Sequence, residues 1–318
     1  MYDIIINPAS KSGRGINIWR MIEPVLNDKG IEYKSYFTDR IGDAIKLSEK
    51  ITSDGAEHKI IILGGDGTVN EVFQGIYDFD KVTIGYIPTG SSNDLARDLR
   101  LTKKPLERLE QILSEKNVVL KDIGELTYNS YEIKDALIDL KNFKPVRRFS
   151  VSAGIGFDAA VCATISNSSL KKVLNKVRLG KLIYLATALK QLIKAKREWC
   201  ELTIDDKPAV KFARTLFIAS MIHRYEGGGF MFCPHASYND GLLDLCVAGD
   251  ISLPKILIAL PTAFFGKHFK FNNIYELRGQ KINIKTAVPL WVHTDGEVEV
   301  KADDISICCD KYRVKFIL

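Results

Sequence analysis

Several familiar signatures are missing from this sequence. No GxxxxGK[ST] loop occurs, so a Walker-type phosphate loop is excluded; "SKSGRG" resembles one only superficially. No GxGxxG is present, and the first turn, "NPASKSGRG", is not led by glycine, which removes an ordinary dinucleotide-binding dehydrogenase. Cysteine is sparse. Cys162, Cys200, Cys233, Cys246, Cys308 and Cys309 include no CxxC pair, so neither a zinc site nor a disulfide framework is expected, and the thiols read as reduced in a cytosolic setting. His58, His223, His235, His268 and His293 lack metal-ligand spacing. Long hydrophobic runs are missing too. The longest, "ISLPKILIALPTAFFG", is interrupted by Pro254, Lys255 and Pro261 and is too short to span a bilayer. The opening "MYDIIINPAS" reads as a strand and a turn rather than a secretion signal. No internal repeat or low-complexity segment is evident.

What is present fits two domains. A chain of 318 residues, 46% hydrophobic and 26% charged, has the composition of an ordinary globular protein with enough apolar surface for more than one core. The net charge of +6 leans mildly toward anionic partners. In the first third, apolar runs alternate with helical spacing. "YDIIINP", "EYKSYFT", "HKIIILGG" and "KVTIGYIPTG" read as strands; "GINIWRMIEPVLNDKG", "GDAIKLSEKITSDG" and "NEVFQGIYDF" read as helices, and "SSNDLARDLRL" begins another. That rhythm predicts a parallel sheet with helices on both faces. It stops near residue 122. Beyond it, "VVLKDIGEL", "RRFSVSAGIGF", "CELTID", "VKFARTLFIASM", "LLDLCVAG", "KINIKT", "LWVHTDGEVEV" and "ISICCDKYRVKFIL" predict short strands of an antiparallel sandwich or barrel. One basic helical stretch, about 168–198, interrupts them.

Three strand-to-helix turns of the first domain carry unusual chemistry: "NPASKSGRG", "GGDGTVNE" and "PTGSSND". In a parallel sheet they fall at one edge, outside the carboxyl ends of the strands, where open α/β sheets bind ligands. Glycine lets backbone N–H groups approach an anion, and each following helix adds a partial positive charge. Ser10, Ser12, Thr68, Ser91 and Ser92 add hydroxyls, and Lys11 and Arg14 add cations. Asp66 would repel a bound polyphosphate unless a cation lay between, so it reads as a partner of Mg²⁺. Glu71, just behind, has no assigned role beyond favouring the helix N-terminus.

The segments "NPASKSG", "GGDGTVNEV" and "GYIPTGSSNDLAR", in this order and spacing, closely resemble the diacylglycerol kinase catalytic-domain superfamily. That superfamily includes soluble bacterial diacylglycerol kinases, a phosphatidylglycerol kinase-like group, sphingosine kinases and ceramide kinases. GGDGT alone is shared, outright or nearly, with NAD kinases and phosphofructokinases. The resemblance covers essentially the whole chain. It implies an α/β nucleotide-binding domain of the NAD kinase and phosphofructokinase kind over residues 1–122, with a return segment over about 305–318 that includes "RVKFIL". A C-terminal antiparallel β-sandwich for the lipid would fill 123–304, with the active site in the cleft between. By the same resemblance Asn7, Pro8, Ala9, Ser10 and Lys11 line the nucleotide. Thr38 sits near adenine or ribose. Gly64, Gly65, Asp66, Gly67, Thr68, Val69 and Asn70 form the main phosphate turn, and Ser91 supplies a further hydroxyl, where many relatives have Thr.

Two acidic turns in the second domain read first as hairpins: Asp240–Gly241 and Asp295–Gly296–Glu297. The resemblance adds chemistry to both. It makes "NDGLLDL" a structural Mg²⁺ site formed by the Asp240 carboxylate and the Ser237 and Leu242 carbonyls, and it makes Glu297 the general base, with Asp66 helping to hold the catalytic Mg²⁺. His293, two residues before the turn, suits a supporting role. In residues 169–199, Lys171, Lys172, Lys176, Arg178, Lys181, Lys190, Lys194, Lys196 and Arg197 face only Glu198, among many apolar residues. This reads either as a membrane-surface element or as an ordinary solvated helix face. The expectation is an ATP- and Mg²⁺-dependent lipid kinase, cytoplasmic and peripheral to the membrane, acting on diacylglycerol. It would meet its lipid substrate at a membrane surface and bind no nucleic acid, and a homodimer is left open. Rival readings are another lipid acceptor (phosphatidylglycerol or a sphingoid base), an NAD kinase, or a non-catalytic lipid- or nucleotide-binding regulator.

Overall fold

The computed structural model describes residues 1–134, 136–137, 143–166, 190–193, 195 and 197–318. The chain divides into two compact units, Met1–Ile123 with Tyr312–Leu318, and Gly124–Lys311.

The first unit alternates strand and helix: β1 (Tyr2–Ile6), α1 (Ser10–Asp28), β2 (Tyr33–Phe37), α2 (Asp43–Thr52), β3 (His58–Gly64), α3 (Asp66–Gly75), β4 (Val82–Pro88), α4 (Asp94–Asp98) and α5 (Pro105–Ser114). β1 pairs in parallel with β2 and β3, and β3 pairs in parallel with β4. The last strand of the chain, β14 (Glu297–Ile317), adds Lys315 and Phe316 beside Thr83 and Ile84 of β4, again in parallel. Ile4, Ile6, Ile61, Leu63, Ile87 and Ile317 cover one face, packed by Ile18, Trp19, Ile22 and Leu26 of α1 and Leu109 and Ile112 of α5. The central strands β1 and β3 are buried on both sides, which explains why they read as continuous apolar runs rather than as alternating ones. Strand order reverses between β1 and β3, so the crevice of this sheet opens at the turns that follow those two strands.

The helix read from "SSNDLARDLRL" is cut to one turn. Arg100 adopts a left-handed φ of 54°, and the Leu101 N–H reaches the Ala96 carbonyl at 2.9 Å, the geometry of a helix stop. No sequence signal marked Arg108, which is fully buried on α5. Its Nε donates to the Tyr86 carbonyl at 2.9 Å, one Nη donates to the Ile317 carbonyl and the other to Gln111 Oε1 at 3.2 Å. Burial lowers its pKa to about 10, which leaves it charged at neutral pH. One guanidinium thus ties α5 to β4 and to the C-terminal strand.

The second unit continues with β5 (Val118–Glu132), β6 (Val146–Phe149), β7 (Ser152–Gly156), α6 (Phe157–Ser166), β8 (Glu198–Ile204), β9 (Val210–Thr215), β10 (Phe217–Met221), β11 (Leu243–Ala248), α7 (Leu253–Ala263), β12 (Ile274–Gly279), β13 (Lys281–Thr294) and β14. Pairing is antiparallel along β12-β11-β10-β7-β13-β14. The first half of β13 pairs with β8, residues 282–286 against 200–204, and its end pairs with β7. Between those halves the register slips, around Pro289, which cannot donate to a ladder. β13 thereby joins two branches of the sheet, and Leu126, Phe149, Ile155, Leu202, Ile218, Leu245, Ile284 and Ile305 fill the core of a β-sandwich. The run "VKFARTLFIASM", read as one strand, is β9 and β10. At Leu216 the chain changes partners, its N–H donating to Ala248 O and its carbonyl accepting from the Phe157 N–H.

Two predictions follow the charges. Replacing Arg108 by Leu strands the Tyr86 and Ile317 carbonyls in the core, so urea unfolding should show a loss of about 2–4 kcal/mol. His58 contacts Asp3 through Nδ1 at 3.0 Å and Asp54 through Nε2 at 2.9 Å; burial opposes its charge, yet these carboxylates raise its pKa above the ordinary value. A raised folded-state pKa stabilises fully below the unfolded value, about 6.5, and that contribution fades as pH rises through the folded value. The parent should therefore lose stability relative to His58→Gln across that interval, and parallel pH–stability curves would refute it.

Candidate active site

The three turns of the first unit are locked to one another by short polar contacts. After β1 the chain runs through residues 7–15, where Lys11 (φ 44°), Ser12 (φ 58°) and Gly13 (φ 91°) are consecutive left-handed residues. Such a φ costs a non-glycine residue about 1–2 kcal/mol, so Lys11 and Ser12 must be held by their surroundings. The holding contacts are visible. Asn7 Nδ2 donates to Thr68 Oγ1 at 3.1 Å, joining the turn after β1 to the turn after β3. Ser10 Oγ and Thr89 Oγ1 share a hydrogen bond of 2.5 Å, joining it to the turn after β4. The α-carbon of Gly15 lies so near the Asn7 carbonyl that a Cβ there would fall 1.9 Å from the oxygen.

The turns after β3 and β4 meet backbone to backbone. A Cβ on Gly65 would lie 3.1 Å from the Gly90 Cα, and one on Gly90 would lie 2.7 Å from the Gly65 Cα. The Thr89 N–H donates to the Gly64 carbonyl at 2.7 Å. Asp66, in the first turn of α3, accepts the Asp94 N–H through Oδ2 at 3.0 Å and so caps α4 from a different segment. Burial, reinforced by the charges of Asp66 and then Asp94, pushes the Tyr86 hydroxyl well above its ordinary pKa of 10. Glu71 also caps a neighbour: its Oε2 accepts the Ala44 N–H at the start of α2 at 3.3 Å.

The expected nucleotide residues divide in two. Asn7, Pro8, Ala9, Ser10, Lys11, Gly64, Gly65, Asp66, Gly67, Thr68 and Ser91 belong to the three turns. Thr38 follows β2 at the same sheet edge, its N–H on the Ile6 carbonyl at 2.9 Å. Val69 and Asn70 instead turn into the core at 1% and 0% exposure, so only their backbone is available to a ligand. The carboxylates of Asp66 and Asp94 and the hydroxyls of Thr68 and Ser10 are hard oxygen donors that suit Mg²⁺ bound jointly with phosphates. Among the described residues no group of three His, Cys, Asp or Glu side chains forms a metal site; Mg²⁺ shared with a nucleotide needs only one or two carboxylates.

In the second unit the Asp-Gly-Glu turn is a two-residue hairpin joining β13 to β14. Asp295 (φ 53°) and Gly296 (φ 83°) are both left-handed, and Thr294 pairs with Glu297. Asp295 is more than a turn former. Its carboxylate accepts three successive backbone N–H groups, from Ser150 at 2.8 Å, Val151 at 2.7 Å and Ser152 at 3.1 Å, and its own N–H donates to the Ser152 carbonyl at 2.8 Å. That clasp is why "RRFSVSAGIGF" breaks into β6 and β7 rather than running as one strand. The carboxylate of Glu297, partly buried, makes no hydrogen bond with another described residue.

Beneath the turn, His293 meets two acids that the sequence did not reveal. His293 is fully buried, with Nε2 at 3.1 Å from Asp158 and 3.3 Å from Glu226, while Nδ1 accepts the Gly296 N–H at 3.2 Å. Burial disfavours charge on this ring, and acceptance of the Gly296 N–H by Nδ1 belongs to its neutral form, whereas Glu226, then Asp158 and Asp295, favour the charge and raise the pKa to about 9. A Cβ on Gly154 would fall 2.1 Å from Asp158 Oδ2 and 2.4 Å from His293 Nε2, so only glycine leaves room for this contact. The signal for Asp158 was in "GIGFDAAV", a glycine-rich strand end followed by an acid at a helix start, the same form as "GGDG".

The expected metal residues Ser237, Asp240 and Leu242 are arranged otherwise. Asp240 Oδ1 accepts the Leu242 N–H at 3.1 Å, and Oδ2 accepts from Arg278 at 2.8 Å. Arg278 also contacts Asp244, its Nε 3.2 Å from Oδ1. The guanidinium already supplies the positive charge between these two acids, and a divalent cation on Asp240 would be set against it. As they stand, these residues do not fit Mg²⁺.

Comparison with known proteins agrees with these features. Residues 2–125 match the family model described as diacylglycerol kinase catalytic domain, and residues 150–308 match a YegS C-terminal NAD kinase beta sandwich-like domain. "Putative lipid kinase YtlR" of Bacillus subtilis is 26% identical over 296 residues, covering 92% of each chain. A diacylglycerol kinase of Mycobacterium tuberculosis is 25% identical, covering 92% of this chain and 87% of its own. A solved structure titled as a diacylglycerol kinase from Bacillus anthracis superposes with a TM-score of 0.66 at 20% identity, covering 99% of this chain and 96% of that one, which establishes the likeness of fold.

Replacing Asp295 by Ala would leave three N–H groups without their acceptor. It should cost about 2–4 kcal/mol in urea unfolding and shift the Ser150, Val151 and Ser152 amide resonances, whereas Asp295→Asn should cost less.

Proposed function

Because the chain belongs to the diacylglycerol kinase catalytic-domain family and is a lipid kinase using ATP and a lipid substrate, we propose that it transfers the γ-phosphoryl group of ATP to the free hydroxyl of diacylglycerol, giving phosphatidic acid. The observation that carries the nucleotide half of this reading is the interlocked set of turns. Asn7–Thr68, Ser10–Thr89 and Gly65–Gly90 bring three glycine-rich backbones together at the switch point of a parallel sheet.

The chemistry follows from the residues. Bare backbone N–H groups of the turns and the N-terminus of α3 hold the phosphate oxygens, and Lys11 and Arg14 add positive charge. Mg²⁺, when bound with the nucleotide through Asp66, would neutralise charge on the phosphates. Glu297 accepts the proton of the lipid hydroxyl as its oxygen attacks the γ-phosphorus and the bond to the departing ADP oxygen breaks. Two features support that role: Glu297 sits on a hairpin fixed by the Asp295 clasp, and its carboxylate has no hydrogen bond to another described residue. His293 holds the same turn through the Gly296 N–H. The reading places the protein at the cytoplasmic face of a membrane, where the acceptor resides. No helix among the described residues is long and apolar enough to cross a bilayer. The basic segment 169–199, expected as a docking element, falls mostly outside the described residues.

An assay with labelled ATP over diacylglycerol, phosphatidylglycerol, a sphingoid base and NAD tests the reading. Phosphatidic acid should be the main product; label in NADP and in no lipid would overturn it, and label in another lipid would replace the acceptor alone. Glu297→Gln should lose about 10²-fold or more in turnover with ATP affinity little changed, and near-normal turnover would remove Glu297 as the base.

A further inference from the structure

The solvent side of α7 is built the wrong way round for a helix in water. Ile256, Ala259 and Ala263 face the core, while Leu257 (45%), Ile258 (63%), Phe264 (46%) and Phe265 (73%) are exposed, together with Pro254 and Pro261. These exposed positions recur every three or four residues and form one stripe along the helix and its closing turn. A surface helix ordinarily presents polar residues there, and a contiguous exposed apolar patch marks a surface with a partner.

The stripe is held in shape. Phe264 stacks on Phe230 with centroids 4.1 Å apart, and Phe230 stacks on Phe232 at 5.6 Å. The helix ends in a two-bond stop: the Lys267 N–H reaches the Thr262 carbonyl at 3.0 Å and the Gly266 N–H reaches the Ala263 carbonyl at 3.2 Å, with Gly266 at φ 64°. Phe264 and Phe265 therefore project from a closed turn, not a frayed end.

Within the helix and its closing segment the charges have one sign. Residues 251–275 contain no Asp or Glu, whereas Lys255, Lys267 and Lys270 are exposed. Apolar side chains flanked by lysines on a helix too short and interrupted to span a bilayer match a helix lying in the headgroup layer, with its cations on anionic lipid and its Phe, Leu and Ile below them. We propose that α7 and its Phe264 and Phe265 tip are the membrane-contacting surface of this protein, docking on anionic phospholipid. The proposal rests on the lipid-kinase reading in one respect, that the acceptor lies in a bilayer.

The test is co-sedimentation of the full chain with phosphatidylcholine vesicles, with and without phosphatidylglycerol. The parent should prefer the phosphatidylglycerol vesicles, and the preference should weaken with added salt. The double variant Ile258→Glu/Phe265→Glu and the triple variant Lys255→Gln/Lys267→Gln/Lys270→Gln should each bind about tenfold or more weakly, with unchanged melting temperature and unchanged turnover of detergent-dispersed short-chain diacylglycerol. Vesicle binding by the double variant equal to the parent's would overturn the proposal, as would a parent that binds neither vesicle. A parent dimer that the double variant dissociates would also overturn it, since a second copy would then cover the stripe. Vesicle binding as expected without phosphorylation of any lipid would sink the kinase reading and leave this surface standing.

Discussion

The three-turn half of the candidate site depends on two glycines that touch. Gly65 and Gly90 close the strands β3 and β4, and neither tolerates a Cβ without pushing the other backbone away. Their contact fixes the distance between the second and third turns. The Thr89 N–H on the Gly64 carbonyl and the Asp94 N–H on Asp66 Oδ2 depend on that approach. The first turn is then drawn in by Asn7 on Thr68 and Ser10 on Thr89. Only with those anchors does a run of left-handed residues at Lys11, Ser12 and Gly13 become tolerable, because its strain is offset by contacts on both sides. A bare backbone here is therefore first a requirement of assembly, and the ability to approach phosphate follows from it.

A second theme is the use of carboxylates as acceptors for backbone N–H groups of other segments. Asp66 caps α4, Glu71 caps α2, and Asp295 gathers three N–H groups of the segment between β6 and β7. Each replaces a local cap that the receiving element lacks; neither α2 nor α4 has a side-chain cap of its own. Acids so engaged are positioned by hydrogen bonds from fixed backbone groups. In the Asp-Gly-Glu turn this separates two adjacent roles: Asp295 is structural, and Glu297 extends from the hairpin it secures. His293 adds a second hold on the same turn from below, through a ring whose other nitrogen meets Asp158 and Glu226.

The parallel sheet and its turns were legible in the sequence because their signals are local: apolar runs ended by Asn-Pro, Gly-Gly and Pro-Thr-Gly, with helical spacing between. The β-rich character of the second unit was legible for the same reason, although the break at Leu216 was not, since it arises from partners at Ala248 and Phe157 far along the chain. Buried polar residues were the least legible. Arg108 sits among ordinary helix residues, and nothing nearby announces that its guanidinium meets carbonyls of β4 and the C-terminal strand. Asp240 is the opposite case. Its "NDGLLDL" context suggested a cation, and the cation it meets is Arg278, across the β11–β12 pairing where Asp244 faces Arg278.

The run "ISLPKILIALPTAFFG" shows how one set of residues supports two inferences. Read for length, its Pro254, Lys255 and Pro261 rule out a bilayer span. Folded, Pro254 sits in the first turn, where its missing N–H costs nothing, and the helix runs on with Ile256 and its alanines inward and Leu257, Ile258, Phe264 and Phe265 outward. Composition cannot distinguish that inversion from an ordinary amphipathic helix, because both contain the same alternation of apolar and small residues. The distinction comes from which face the surrounding core accepts: Leu216, Ala248 and Ile251 receive Ile256 and Ala259, leaving Leu257 and Ile258 on the far side. A helix that cannot enter a membrane by length can still lie on one by orientation. That orientation is set by the β-sandwich beneath it rather than by the helix itself.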